Sequence, residues 1–404
     1  MNGRRRSLGW PFFLAKIGQG AEIGSPQRMQ KTLLSASALL LVSIFLPASH
    51  AAELPEIAVK IQSIDTPTAQ VRGSNGERGA ALAQLGDGRL LLGGGSTGLT
   101  LFLYDLTTQK ERVIGRAGSA SERINDSRFA ITDIALLSQS GDNAQLLISY
   151  PRYNSARKCV SVVVYSYQAS FGTKASLKRG KLWFESKPCV AISAVQHAAG
   201  RLEVIDSKNA YLTIGDLGYP QIGDRKKRGT LGSVMQISAN KVKQISSGHR
   251  NAQGILLIGK DLYVSEHGPR GGDELNVIES GIDYGWPSVT YGEKYSAGDY
   301  VKPTNPGTHT GFREPITNWV PSVAPTELIQ LPANSSWGPW SSSIVMGTLR
   351  ELSLIFISMK SKNEVAQMKK VEVGERIRDL EMGKDGSIIA TTDSGRLLLI
   401  TAQN

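Results

Sequence analysis

Six times between residues 86 and 390 a tight polar turn runs directly into a short apolar strand. The units lie at 86–93, 143–150, 208–215, 259–266, 342–347 and 383–390, and Gly86-Asp87-Gly88 ahead of Leu90-Leu91-Leu92 shows their form. Gly, Asp, Asn and Ser punctuate the chain where the backbone must reverse, and several units lead into a further strand such as 395–400. No long apolar stretch of 3.6-residue period with caps at both ends occurs after residue 52. One supersecondary unit repeated over the whole length predicts an all-β chain folded as a six-bladed β-propeller, in which radial repetition protects the sheet edges. Spacings of roughly 40 to 85 residues mostly exceed those of a compact propeller repeat, so long loops are expected between strands. A β-sandwich, the competing architecture, explains strands but not their repetition. No linker rich in Pro, Gly or Ser interrupts 60–400, and 53–404 reads as a single domain.

The formal charge of +11 raises the question of an anionic partner, and its distribution answers part of it. Residues 1–52 carry six Lys or Arg against Glu22 alone, and so hold +5 of the total. Within them Lys31 precedes an apolar run over 33–46, then Pro47 and the small-residue stretch Ala48-Ser49-His50-Ala51-Ala52. This is the anatomy of a secretory signal peptide, with Met29 as an alternative start; the run is short of the ~20 residues of a spanning helix. The expected location is periplasmic or secreted, with an N-terminal membrane anchor as the alternative and no stable span in the mature protein. The remaining +6 is scattered. Its densest run, Arg225-Lys226-Lys227-Arg228, lacks interleaved aromatics and reads as a solvated loop, so no nucleic-acid partner is expected. In an oxidising compartment Cys159 and Cys189 either pair, closing a 30-residue separation worth ~3 kcal/mol, or stay as two buried thiols.

The chemistry concentrates between 248 and 295. Gly-His-Arg-Asn-Ala-Gln-Gly occupies 248–254, and Arg250 with Asn251 can present a charged fork and an amide to a polar ligand. His267-Gly268-Pro269 followed by Gly271-Gly272 forces the backbone into turns whose carbonyls can share one cavity. With Asp273 and Glu274 adjacent, these are the ligands a hard cation prefers. Asp-Tyr-Gly-Trp-Pro follows at 283–287.

Taken together these motifs resemble the soluble quinoprotein sugar dehydrogenases, the glucose/sorbosone dehydrogenase family that uses pyrroloquinoline quinone (PQQ). The resemblance is dense over 197–295 and thinner towards the C-terminus, and it also implies a six-bladed propeller. His197-Ala198-Ala199-Gly200-Arg201-Leu202 matches a family segment in which the histidine is the general base, a role its ordinary pKa of about 6.5 suits. The resemblance further implies Arg250 and Asn251 at the reactive quinone carbonyl, with Arg250 catalytic as well as cofactor-binding. Gly268 and Pro269 become backbone ligands of a Ca2+ that also meets PQQ, and Asp273, Glu274 and Tyr284 the site of a second Ca2+. Arg376 and Arg378, alternating on one strand face, would pair with PQQ carboxylates. Arg350 stands where the family has a cofactor-binding lysine. Two departures stand out: Arg128 replaces a family glutamine, and Gln196 replaces the aspartate before the base. The implied activity is oxidation of an aldose at the anomeric carbon, with electrons passed to an external acceptor. The alternative is a propeller without PQQ that binds glycans or proteins at the cell envelope. A propeller lactonase would need several carboxylates around a metal on the axis.

Overall fold

The computed structural model describes residues 53–192, 197–296 and 300–403. The proposed signal segment over 1–52 and Gln196 lie outside the described residues. Six antiparallel sheets form a six-bladed β-propeller. Blade 1 runs from Ala81–Gln84 through Leu90–Gly94 and Thr100–Asp105 to Lys110–Arg116. Blades 2, 3, 4 and 5 begin at the axis with Asp133–Ser140, Ala199–Asp206, Ala252–Ile258 and Pro325–Gln330. Blade 6 runs outward from Ile377–Met382 through Ile388–Thr392 and Arg396–Ala402. Its outermost strand is the N-terminal Val59–Asp65, paired Val59 to Ala402 and Asp65 to Arg396, so the two ends of the described chain close the ring.

Each of the six sequence repeats becomes the second strand of one blade. That strand is flanked on both sides within its sheet and packed on both faces, so an almost unbroken apolar run is its signature. Leu90, Leu91 and Leu92 of blade 1 are all fully buried. The apolar residues gather in six main clusters, one at each junction between neighbouring blades. Sheet-on-sheet packing is thus continued around the ring, with ~1.5–3 kcal/mol per fully buried large aliphatic side chain. Cys159 and Cys189 are joined by a disulfide, Cα atoms 5.6 Å apart, which ties the third strand of blade 2 to the segment approaching blade 3.

The axis itself is polar. Arg201, from the inner strand of blade 3 and 1% exposed, lies across it. Its Nη1 is 2.8 Å from Asp379, 3.3 Å from Glu327 and 3.9 Å from Asp133, while Nε and Nη2 donate to the carbonyls of Gln253 and Arg378. Five blades meet on one guanidinium. The carboxylates also stitch inner strands together: Asp133 accepts from Leu202 N–H, Asp379 from Leu82 N–H and Glu327 from Ile255 N–H. The arginine plug separates an acidic cavity at one end of the axis, lined by Glu203 and Glu381, from the cavity at the other end described next.

Candidate active site

Blade 4 departs from the regular pattern. Between its third strand, Asp273–Val277, and its fourth, Thr317–Trp319, a long excursion carries Trp286, Tyr295, Tyr300 and His309. Tyr295 and Tyr300, with Arg250, Asn251, Gly268, Pro269, Arg376, Arg378 and His197, line a cavity of about 450 Å³. Residues separated by up to 181 positions in the chain are thereby brought to one cavity.

His197 is 8% exposed and has a distinct partner on each ring nitrogen. Nδ1–H donates to Asp216 Oδ1 at 2.6 Å, and Nε2 accepts from Arg250 Nη2 at 3.1 Å. Asp216 is fully buried, and its other oxygen accepts from the Trp286 indole at 2.8 Å. Burial holds the His197 imidazole below its ordinary pKa; Asp216 opposes this and the charge of Arg250 adds to it. Burial would raise Asp216, but His197, Arg250 and the Gly218 N–H outweigh it and leave the carboxyl below its usual value. The result is a neutral imidazole in one tautomer, its Nε2 lone pair on the cavity side: the arrangement of a general base. Tyr300 stacks across the ring at 6.2 Å.

Arg250 is the hub of this wall. Besides His197, its Nη1 donates to the carbonyl oxygen of Gly268 at 2.5 Å and to that of His267 at 3.3 Å. Its guanidinium lies over Trp286 and Tyr295, 5.4 and 5.9 Å from the ring centres. Asn251 Oδ1 accepts from the Gln253 amide. Gly268 is required by closeness, since a Cβ there would sit 2.3 Å from the carbonyl oxygens of Gly271 and Gly272. The Pro269 carbonyl accepts from Tyr295 Oη at 2.9 Å. Both carbonyls are therefore reached from the cavity, each by a donor of the chain itself, and each keeps a second lone pair. This donor set fits a hard cation.

Asp273 has a different task from that expected. Oδ1 accepts from Gly268 N–H, and Oδ2 from Ser322 Oγ and the N–H groups of Val323 and Ala324. It clamps the carbonyl-bearing turn to the entry of blade 5. Glu274 and Tyr284 instead line a separate cavity of about 20 Å³ with Glu266 and His309. There His309 Nε2 is 3.3 Å from Glu274, Asn276 donates to both Glu266 and Glu274, and Asn276 Oδ1 is buried without a partner. Tyr284 stacks on His249 at 4.7 Å and donates to the Val277 carbonyl.

In the same cavity Arg378 pairs bidentately with Asp393, both bonds 2.9 Å, and Arg376 reaches the same aspartate at 2.9 Å. Arg350 departs from expectation. It is exposed and does not line the cavity, because the chain leaves the strand Ile344–Thr348 with Leu349, not Arg350, turned inward. Arg128, in the place of the family glutamine, is held by Asp126 at 2.6 Å.

Residues 77–399 match the pattern of the glucose/sorbosone dehydrogenase family. The chain belongs to that family. Among its relatives in the family, an uncharacterized Synechocystis protein is 30% identical over 232 residues, which span 50% of this chain and 55% of that protein. The aldose sugar dehydrogenase YliI of Escherichia coli is 27% identical over 303 residues, 68% of this chain and 77% of its own. The fold matches the PQQ-bound aldose sugar dehydrogenase of Streptomyces coelicolor with a TM-score of 0.62 at 22% identity, covering 87% of this chain and all of that one. Arg78, Asp216, Gln253, Tyr295, Tyr300 and Asp393 are among the residues at this cavity that were not singled out from sequence. Gln253 stood inside a quoted motif; Asp216 had a local signal in the Gly-Asp-Leu-Gly turn directly after a strand. Arg78 and Asp393 had none.

Proposed function

We propose that this is an exported quinoprotein sugar dehydrogenase that oxidises aldoses at the anomeric carbon and passes the electrons to an external acceptor. The observation that carries the reading is His197, held neutral between Asp216 and Arg250 on the wall of an arginine-rich cavity. Arg376 and Arg378 would hold the carboxylates of PQQ, Arg250 and Asn251 its quinone edge, and the carbonyls of Gly268 and Pro269 a Ca2+. Glu274 and Tyr284 offer the place for a second Ca2+. When bound, PQQ with Ca2+ supplies a two-electron acceptor for the hydride of the anomeric carbon.

The chain's own work is protonic and electrostatic. His197 Nε2 takes the proton of the anomeric hydroxyl, while Asp216 fixes the tautomer and stabilises the imidazolium that forms. Arg250 occupies that lone pair in this structure, so the sugar hydroxyl must take the place of Arg250 Nη2. The guanidinium then remains beside the base as a fixed positive charge where negative charge develops. The disulfide agrees with an oxidising compartment. Among the described residues no helix is long and apolar enough to cross a membrane.

The engagement of the Gly268 and Pro269 carbonyls by Arg250 and Tyr295 favours a second reading, a propeller that binds envelope glycans or proteins without a quinone. One experiment separates the two. The mature protein is reconstituted with PQQ and Ca2+, and absorbance and dye reduction are followed with a panel of aldoses. Cofactor-dependent spectra and calcium-sensitive turnover are expected, and their absence selects the second reading.

A further inference from the structure

The part of the cavity lined by Arg376 and Arg378 holds more positive charge than its partners neutralise. Asp393 is shared by Arg376 and Arg378, and a third guanidinium, Arg78, lines the same cavity. Arg78 ends the strand Gly76–Arg78 ahead of blade 1, and its position is set by its neighbour. Gly79 N–H donates to Asp393 Oδ1 at 2.9 Å, and a Cβ on Gly79 would lie 2.8 Å from Arg378 Cβ. Only glycine lets the chain pass this close, and the passage sets Arg78 beside Arg378.

Arg78 forms no side-chain hydrogen bond or ion pair with the described residues, and its Nε is buried without a partner. Burial, then the like charges of Arg378 and Arg201, press its proton affinity down to about 9, against the pull of Asp393 and Asp379, so it stays charged at neutral pH. An unpaired guanidinium in such a place is costly unless an anion completes it. Arg128 does not share this state, because Asp126 already satisfies it.

We propose that Arg78 is a ligand-binding residue of the cavity, contributed by blade 1, that receives a carboxylate of a planar, multiply acidic ligand. It thereby supplies an anchoring contact on the side of the site where Arg128 has replaced the family glutamine. The identity of the ligand as PQQ rests on the function proposed above; the demand for a carboxylate rests on Arg78 and its surroundings.

The test is calorimetric titration of the apo protein with PQQ plus Ca2+ and, separately, with benzene-1,3,5-tricarboxylate, together with thermal unfolding of the apo forms. Arg78→Met is expected to weaken binding of each probe by about 10- to 100-fold. Arg78→Lys should restore part of the loss, and Arg128→Met should stay within about twofold of the parent. The apo form of Arg78→Met should unfold at the same temperature as the parent or higher, since an uncompensated charge has been removed. Three results overturn the proposal: unchanged affinity in Arg78→Met, an equal loss in Arg128→Met, or a lowered apo unfolding temperature that accounts for the weaker binding. Failure of the parent to bind either probe overturns it as well. If the tricarboxylate binds in an Arg78-dependent way but PQQ does not, Arg78 stands and the quinone reading falls. If PQQ binds parent and Arg78→Met alike, the reverse holds.

Discussion

At the scale of single residues the site is organised by which group holds which proton. Asp216 contributes more than a countercharge, because its bond to Nδ1 of His197 determines which nitrogen of the ring is free. Asp216→Asn keeps the shape but offers Nδ1 an amide donor, which drives the imidazole proton to Nε2. We expect kcat of the reconstituted enzyme to fall by ~10²–10⁴-fold with PQQ affinity little changed. In the parent enzyme the rise of kcat/KM with pH should have its midpoint below the ordinary histidine value, since burial and Arg250 disfavour the imidazolium. Loss of the aspartate should move that midpoint lower still. An unaltered profile would show that Asp216 merely packs against Trp286. His197 was legible in the sequence through its motif, and Asp216, 19 positions away, was placed against it by the fold alone.

At the scale of elements the informative piece is the turn from His267 to Gly272. Its glycines announced turns, and its carbonyls and carboxylates suggested cation ligands. The fold gave Asp273 a different use, four hydrogen bonds that join the turn to residues 322–324 across about fifty positions. Sequence could not reveal this, because a carboxylate beside glycines looks the same whether it meets a metal or three donors at the entry of another blade. Asp273→Ala should leave those donors unpaired, at about 1–3 kcal/mol for the buried amides together with their loop. Hydrogen exchange should quicken at 268 and at 323–324 while the inner strand of blade 3 stays protected. Unchanged exchange at those amides would remove the clamp from the account.

At the scale of the whole molecule the ring is closed twice, by the N-terminal strand on blade 6 and by Arg201 on the axis. Arg201→Met leaves Asp379, Glu327 and Asp133 buried without their cation, and we expect a loss of ~3–5 kcal/mol in urea unfolding. A loss below 1 kcal/mol would mean that the strand-to-strand hydrogen bonds of these carboxylates suffice alone. The acidic end of the axis makes a second prediction. Burial, with the neighbouring carboxylates, raises Glu381 to about 8, and burial raises Glu203 to about 7. Groups raised in this way hold protons more tightly folded than unfolded. Their contribution is complete below their unfolded values near 4.5 and is lost as pH climbs towards 8. Glu381 keeps part of its surface in water, which screens the effect, so Glu381→Gln should gain about 1–2 kcal/mol over the parent at pH 9 and little at pH 5. Parallel stability curves for the two proteins would contradict this.

The sequence by itself determined what depends on neighbours along the chain. Turn residues and buried strands are local in cause, so the six repeats mapped one to each blade, and the motifs around His197, Arg250 and Gly268 hold residues that line one cavity. The tertiary structure decided the charge partners. Asp393 sits 314 positions from the backbone N–H it accepts at Gly79, and Arg201 gathers carboxylates from three other blades. Such pairs arise because a closed ring brings the start, middle and end of the chain to a common axis, where desolvation makes every unpaired charge expensive. No local pattern encodes that meeting. It is the reason Arg78, which had no motif, lies within the cavity, while Arg350, which had one, is turned out of it where its strand ends.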